Sequence, residues 1–97
     1  MRTGSKSGRR TVVVYVARTG NAHSIAGFAV SKAVGGAVTR NLVKRRLRSI
    51  VRESLPTLPA GSAVVVRALP PAASTDFATL TADVNGALSS AAKKVAA

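Results

Sequence analysis

The sequence predicts a small α+β domain, in which a mixed sheet of three to four strands packs against a basic crossover helix and a C-terminal helix. Three short runs are rich in β-branched and apolar residues, which is typical of strands. Between the second and third run, residues 39–55 contain neither Pro nor Gly and carry apolar residues at helical spacing. A second apolar stripe at helical spacing follows the third run.

The composition indicates one soluble domain that binds a polyanion. The chain has 97 residues, a net charge of +12 and no cysteine. We expect a flexible basic segment over residues 1–10, because it consists largely of Gly, Ser and cations. Residues 11–95 are then a single domain, which would be drawn to nucleic acid or to an anionic membrane. No apolar run approaches the ~18 residues that span a bilayer, and no signal peptide is evident, so we expect a cytoplasmic protein.

The first strand is predicted over residues 11–18, which read TVVVYVAR. With a period of two, Val13, Tyr15 and Ala17 share one side of this strand, and the other side carries three valines. Tyr15 is one of only three aromatic residues in the chain. It is either an ordinary packing residue or a platform on which an unpaired base stacks.

The second strand is predicted over residues 24–31, and it leads into a Gly35-Gly36 turn. Ser31 and Lys32 would lie at the end of this strand, next to the start of the basic helix. The N–H groups at a helix start carry partial positive charge. A phosphate at this junction is therefore physically reasonable.

The basic helix is predicted to begin with Thr39 as its N-cap. Its core face is formed by apolar residues and its solvent face by cations and one amide. The core face holds Val43, Leu47, Ile50 and Val51, and the solvent face holds Asn41, Lys44, Arg45, Arg48 and Arg52. Like charges at i, i+4 destabilise a helix by roughly 0.2–0.5 kcal/mol per pair. A face of one sign therefore favours polyanion binding over simple solvation.

The third strand is predicted over residues 62–69, and the last helix over residues 74–92. Ser74, Thr75 or Asp76 could cap this helix. Its apolar stripe is predicted to cover one face of the sheet, and consists of Phe77, Leu80, Val84, Leu88 and Ala91.

The residue inventory predicts no catalytic centre and no metal site in the polypeptide. The carboxylates are Glu53, Asp76 and Asp83, and His23 is the one histidine. Asp76 and Asp83 lie two helical turns apart, roughly 10 Å along the axis, which is too far to share one ion. No nucleophile–base set can be assembled from these residues.

The run SKAVGGAVTRNLVKRRLR resembles the signature of the bacterial ribonuclease P protein subunit. That family shows Ser-Lys, a Gly-containing turn, Ala-Val, Arg-Asn-Arg and a basic helix. Two positions depart from it: Leu42 replaces the second Arg of the triplet, and Gly36 replaces an Asn. The matching residues are Ser31, Lys32, Gly35, Ala37, Val38, Arg40, Asn41, Lys44, Arg45 and Arg48.

The resemblance implies the accessory subunit of a ribozyme that removes the 5′ leader from precursor tRNA. The implied fold is like that of domain 2 of ribosomal protein S5. The family also has an amphipathic helix before the first strand, for which this sequence begins too late. Mg²⁺ would be held by the RNA subunit and the substrate. The 5′ leader would lie on the side of the sheet with Val13, Tyr15 and Ala17. The catalytic RNA would contact Ser31, Lys32, Arg40, Asn41, Lys44, Arg45, Arg46, Arg48 and Arg52.

Three other functions fit parts of the sequence. A structural RNA-binding protein, resembling a ribosomal protein and taking no part in cleavage, would need the same charge. A DNA-binding helix module is disfavoured, because a strand and a glycine turn precede the basic helix instead of a packed first helix. A cationic membrane-surface helix is disfavoured by the narrow apolar face, which lacks Trp and Phe.

Overall fold

A computed structural model describes residues 4–20 and 22–96, which form four strands and two α-helices. The strands are β1 (Gly4–Gly8), β2 (Val12–Arg18), β3 (Ile25–Ala29) and β4 (Ser62–Ala68). The helices are α1 (Ala37–Ser54) and α2 (Phe77–Ala96). Short 3₁₀ turns at Leu55–Thr57 and Pro70–Ala73 follow α1 and β4, where prolines end the preceding elements.

The four strands form one mixed sheet in the order β1-β2-β4-β3. The pairs β1–β2 and β2–β4 are antiparallel, and β3–β4 is parallel. Helix α1 is the crossover that joins the two parallel strands, as a parallel pair requires. The predicted mixed sheet with a basic crossover helix and a C-terminal helix is confirmed.

Both helices cover the same face of the sheet. On that face, Val12, Val14 and Val16 of β2 lie beside Val64 and Val66 of β4, and all five are buried. Helix α1 adds all four residues of its predicted core face, and α2 adds most of its predicted stripe. In the part of the chain that the structure describes, no helix lies over the other face of the sheet, which we call the open face.

Strand β1 is a correction, because the sequence predicted a flexible segment over residues 1–10. Gly4–Gly8 instead pairs with β2 along its whole length, and the N–H of Arg9 donates a 2.8 Å hydrogen bond to the carbonyl of Val12. The sequence GSKSG has no alternation of apolar and polar residues, so no pattern in it predicts a strand. Backbone pairing and contacts with α2 hold it. The remaining residues of that segment, 1–3, lie outside the described residues.

Two details of the helices also differ from expectation. Gly36, not Thr39, is the N-cap of α1, because the chain is still extended at Gly36 and turns helical at Ala37. Phe77 is 46% exposed and is not part of the core, since it lies in the first turn of α2, over the groove between the two helices. Asp76 does cap α2: its Oδ1 accepts a 2.7 Å hydrogen bond from the N–H of Thr79.

Candidate nucleic-acid interface

The outer face of α1 carries exposed, positively charged side chains. Arg45, Arg48 and Arg52 are exposed, Asn41 is exposed between them and the helix start, and Lys44 is half-buried on the flank. The opposite stripe of the helix is anchored in the core, so these side chains point away from the sheet. The first turn contains no acidic residue. The result is a rigid basic surface about three turns long, from Asn41 to Arg52.

Two further cations of α1 are tied to the protein itself. The Nε of Arg40 donates a 3.2 Å hydrogen bond to the carbonyl of Gly35, and the Nη1 of Arg46 lies 3.4 Å from the carbonyl of Thr75. Both side chains are half-buried. Arg40 thus braces the turn at the start of α1, whereas Arg46 reaches toward α2, on the other flank of the buried stripe.

The turn between β3 and α1 depends on glycine at one position. Gly35 has φ of +156°, and a Cβ there would lie 3.0 Å from the Cγ2 of Thr39. The turn is closed by hydrogen bonds from the N–H of Val34 to Ser31 (3.1 Å) and from the N–H of Gly35 to Lys32 (3.2 Å). Ser31 and Lys32 are exposed, so their hydroxyl and ammonium groups are available beside the helix start.

The start of α1 is electropositive and carries no side-chain cap. Gly36 makes no side-chain hydrogen bond, because it has no side chain, and it leaves first-turn N–H groups directed outward. These N–H groups, the helix dipole and Lys32 all favour an anion at the same place. The structure therefore brings the predicted junction residues together with the basic face that follows them.

The open face of the sheet carries the residues predicted to bind the leader. Register pairs Tyr15 with Lys6 on β1 and with Val65 on β4, and pairs Val13 with Arg67 on β4. Tyr15, Val13 and Ala17 are all half-buried. A shallow groove of about 360 Å³ runs across this face, and its lining includes Lys6, Tyr15, Ala17, Ala63 and Val65.

Cations border the apolar centre of the open face. Lys6 and Arg67 are both exposed, and they lie on opposite sides of β2. From strand spacing and rise, their Cα atoms are about 12 Å apart. Aromatic and apolar surface between cations suits single-stranded nucleic acid, whose bases stack while its phosphates pair with Lys and Arg. The sequence alone places neither residue on this face, because their position depends on the strand order.

Two of the three carboxylates have structural partners. Asp83 accepts a 2.7 Å hydrogen bond from the hydroxyl of Thr11, and Asp76 caps α2. Hydrogen bonds from the side chain and then the backbone N–H of Thr79 hold the pKa of Asp76 below its ordinary value. Within residues 4–20 and 22–96, no group of three His, Asp or Glu side chains could hold a metal ion.

None of the helices in the described part of the chain combines the length and the apolar character that crossing a bilayer requires. The surface described above offers cations, backbone N–H groups and one aromatic ring, and these groups bind phosphates and bases. These groups lie on two surfaces: the basic face of α1 with the β3–α1 turn, and the open face of the sheet.

Comparison with known proteins places this arrangement in a family. Residues 1–92 match the family model described as Ribonuclease P. A "Ribonuclease P protein component" of Kocuria rhizophila is 49% identical over 96 residues, covering 99% of this chain and 85% of that protein. One from Arthrobacter sp. is 50% identical over 96 residues, covering 98% of this chain and 71% of that protein.

Solved structures agree with the sequence relatives. The RNase P protein of Staphylococcus aureus superposes with a TM-score of 0.79 at 26% identity, covering 89% of this chain and 79% of the other. The RNase P protein from Thermotoga maritima superposes with a TM-score of 0.75 at 26% identity, covering 86% of this chain and 79% of the other.

Proposed function

The chain belongs to the ribonuclease P protein family, whose members work with an RNA partner in a tRNA-processing endoribonuclease, and from this premise we propose how its two surfaces divide the work. The basic face of α1 and the β3–α1 turn bind the catalytic RNA. The open face binds the 5′ leader of precursor tRNA. The RNA subunit carries out the cleavage and, with the substrate, holds the Mg²⁺. The protein works in the cytoplasm.

The observation that carries this proposal is the continuity of the basic surface with the glycine turn. Lys32 lies in the turn directly before the uncapped start of α1, and the exposed Arg45 and Arg48 lie farther along the same helix. A structured RNA presents phosphates at fixed positions, so a rigid row of cations gains more from it than a mobile one would. Arg side chains add bidentate hydrogen bonds to phosphate oxygens.

The proposed role of the protein is to bind and orient. Asn41 is exposed near the start of α1, where its amide can bond a base edge or a phosphate. Tyr15 lies in the middle of the open face, where a leader base can stack on its ring. Contacts to both RNAs raise the affinity of the complex for substrate, and a positioned substrate lowers the barrier to cleavage by the RNA.

The proposal is tested by measuring, for the same variants, the affinity for ribonuclease P RNA and the preference of the assembled complex for leader-bearing tRNA. Arg45→Ala is expected to weaken binding to ribonuclease P RNA and to leave the preference of the assembled complex for leader-bearing tRNA unchanged. Tyr15→Ala is expected to do the reverse. The proposal fails if both substitutions change the same affinity, or if binding of the RNA does not weaken with salt, as phosphate contacts require.

A further inference from the structure

Lys6 occupies the edge of the open face, directly beside Tyr15. The register of β1 on β2 places the two residues opposite one another, so their Cα atoms are about 4.5–5.5 Å apart and their side chains rise from the same face. Lys6 is exposed, and both side chains line the groove of about 360 Å³. A ligand on the ring of Tyr15 is therefore within reach of the Lys6 ammonium.

The backbone of Lys6 is fixed although its side chain is not. The Nζ of Lys94, near the end of α2, donates a 3.0 Å hydrogen bond to the carbonyl of Lys6. Farther along the chain, the Nη1 of Arg9 donates to the hydroxyl of Ser7 (3.1 Å), and its guanidinium lies against α2 at Gly86. These contacts hold β1 to α2 at two points. Strand β1 therefore has a fixed position along one side of the groove, and the Lys6 side chain extends from it.

This inference rests on the proposed function of the open face and extends it to a strand outside the recognised signature. We propose that the ammonium of Lys6 pairs with the phosphate next to the leader base that stacks on Tyr15. In this arrangement Lys94 is a positioning residue, because it holds the carbonyl of Lys6 and thereby the register of the β1 edge. Stacking alone is tolerant of position, whereas a cation beside the ring fixes where the backbone of the strand lies.

The experiment uses the complete complex of this chain with ribonuclease P RNA. Affinity is measured for a precursor tRNA with a leader of several nucleotides and for the same tRNA with one leader nucleotide, each at several salt concentrations. Lys6→Ala is expected to weaken binding of the long-leader substrate by about two- to fivefold, as loss of an exposed ion pair does. The slope of log affinity against log salt should fall by about one. Binding of the short-leader substrate should not change.

Matched variants separate a local contact from a loss of charge. Lys93→Ala removes the same charge from an exposed site on α2, away from the open face, and should change neither affinity nor slope. Lys6→Arg should keep most of the affinity. The inference is overturned if Lys6→Ala binds the long leader as the unmodified protein does, or if Lys93→Ala reproduces its effect. If the unmodified complex itself shows no preference for the long leader, the proposed leader site fails as well.

The role of Lys94 is tested by a double-mutant cycle. Lys94→Ala should weaken binding of the long-leader substrate in the presence of Lys6 and have little further effect in the Lys6→Ala background, because it acts through Lys6. Additive effects of the two substitutions would show that Lys94 contacts RNA by itself, which would overturn its positioning role.

Discussion

The hydroxyl of Thr11 donates a 2.7 Å hydrogen bond to the carboxylate of Asp83. Thr11 is 1% exposed and comes just before β2, and Asp83 lies in the second turn of α2. The carbonyl of Thr11 also accepts a 2.8 Å hydrogen bond from the N–H of Leu69, just after β4. Thr11 thus links β2, the end of β4 and α2, at a position away from the basic face of α1.

Replacing Thr11 should lower the stability of the fold. Thr11→Val keeps the shape of the side chain but leaves the Asp83 carboxylate without its donor, so the free energy of unfolding should fall by about 1–3 kcal/mol. Each kcal/mol corresponds to a Tm decrease of about 4–8 °C in a chain of this size. Thermal unfolding followed by circular dichroism measures it. Thr81→Val, which removes an exposed hydroxyl bonded within its own helix, should change stability by less than ~0.5 kcal/mol.

The two adjacent glycines before α1 should respond in opposite directions. Gly35→Ala forces a Cβ against Thr39 at a positive φ, and it should destabilise the fold by about 1–3 kcal/mol. Gly36→Ser places a capping hydroxyl at an extended N-cap that has open space around it, and it should stabilise by a few tenths of a kcal/mol. Urea unfolding of both variants measures the difference. Equal destabilisation by the two changes would contradict the geometry of this turn.

Substitutions of the α1 cations should fall into two groups, those that weaken RNA binding and those that lower stability. Arg45→Ala and Arg48→Ala remove exposed side chains, so each should weaken binding to ribonuclease P RNA and lower the salt slope by about one while Tm is unchanged. Arg46→Ala removes the contact with Thr75 and should lower Tm, with a smaller effect on RNA affinity. Filter binding across a salt series, together with thermal unfolding, tests this. A uniform loss of affinity in all three variants would show that Arg46 is an RNA ligand like the others.

Tyr15 should contribute through its ring and not through its hydroxyl. Tyr15→Ala removes a stacking surface worth about 1–3 kcal/mol per base, so affinity for leader-bearing precursor tRNA should fall and affinity for mature tRNA should stay the same. Tyr15→Phe keeps the ring and should bind as the unmodified protein does. Competition between the two tRNAs for the assembled complex measures the preference. An equally large loss in the Phe variant would transfer the role to the hydroxyl.

Asp76 should make stability depend on pH only in acid. Hydrogen bonds from Thr79 depress the pKa of the folded-state carboxyl below its ordinary value of 3.8, so the stabilisation is present above that value. It is lost as pH falls through the lower, folded-state pKa. Tm measured from pH 6 down to pH 2 should therefore fall less steeply in Asp76→Asn than in the unmodified protein. Parallel curves for the two proteins would show that the cap does not titrate with folding.

Sequence reasoning succeeded where a local pattern carries the information. The core face of α1 was predicted residue by residue, because Val43, Leu47 and their neighbours repeat at helical spacing and helical spacing decides what faces the sheet. The alternation in β2 separated Val14 from Tyr15 for the same reason. The glycine turn could be placed, because few residues other than glycine accept a positive φ next to a helix start.

The sequence did not predict the positions of residues that depend on pairing with another strand. Nothing in GSKSG predicts an edge strand, because its residues have low strand propensity and its stability comes from pairing with β2 and contacts with α2. Lys6 and Arg67 could not be assigned to the open face without the strand order. Phe77 fits the apolar stripe of α2 by spacing, but the first turn of the helix lies over the groove beside α1.

The most direct test of the account is reconstitution of cleavage. The chain is mixed with a bacterial ribonuclease P RNA at a Mg²⁺ concentration too low for the RNA alone, and cleavage of a precursor tRNA is followed. The account predicts that cleavage at the mature 5′ end is restored, and that a chain carrying Arg45→Ala and Arg48→Ala restores much less. Absence of both cleavage and salt-sensitive RNA binding would contradict it.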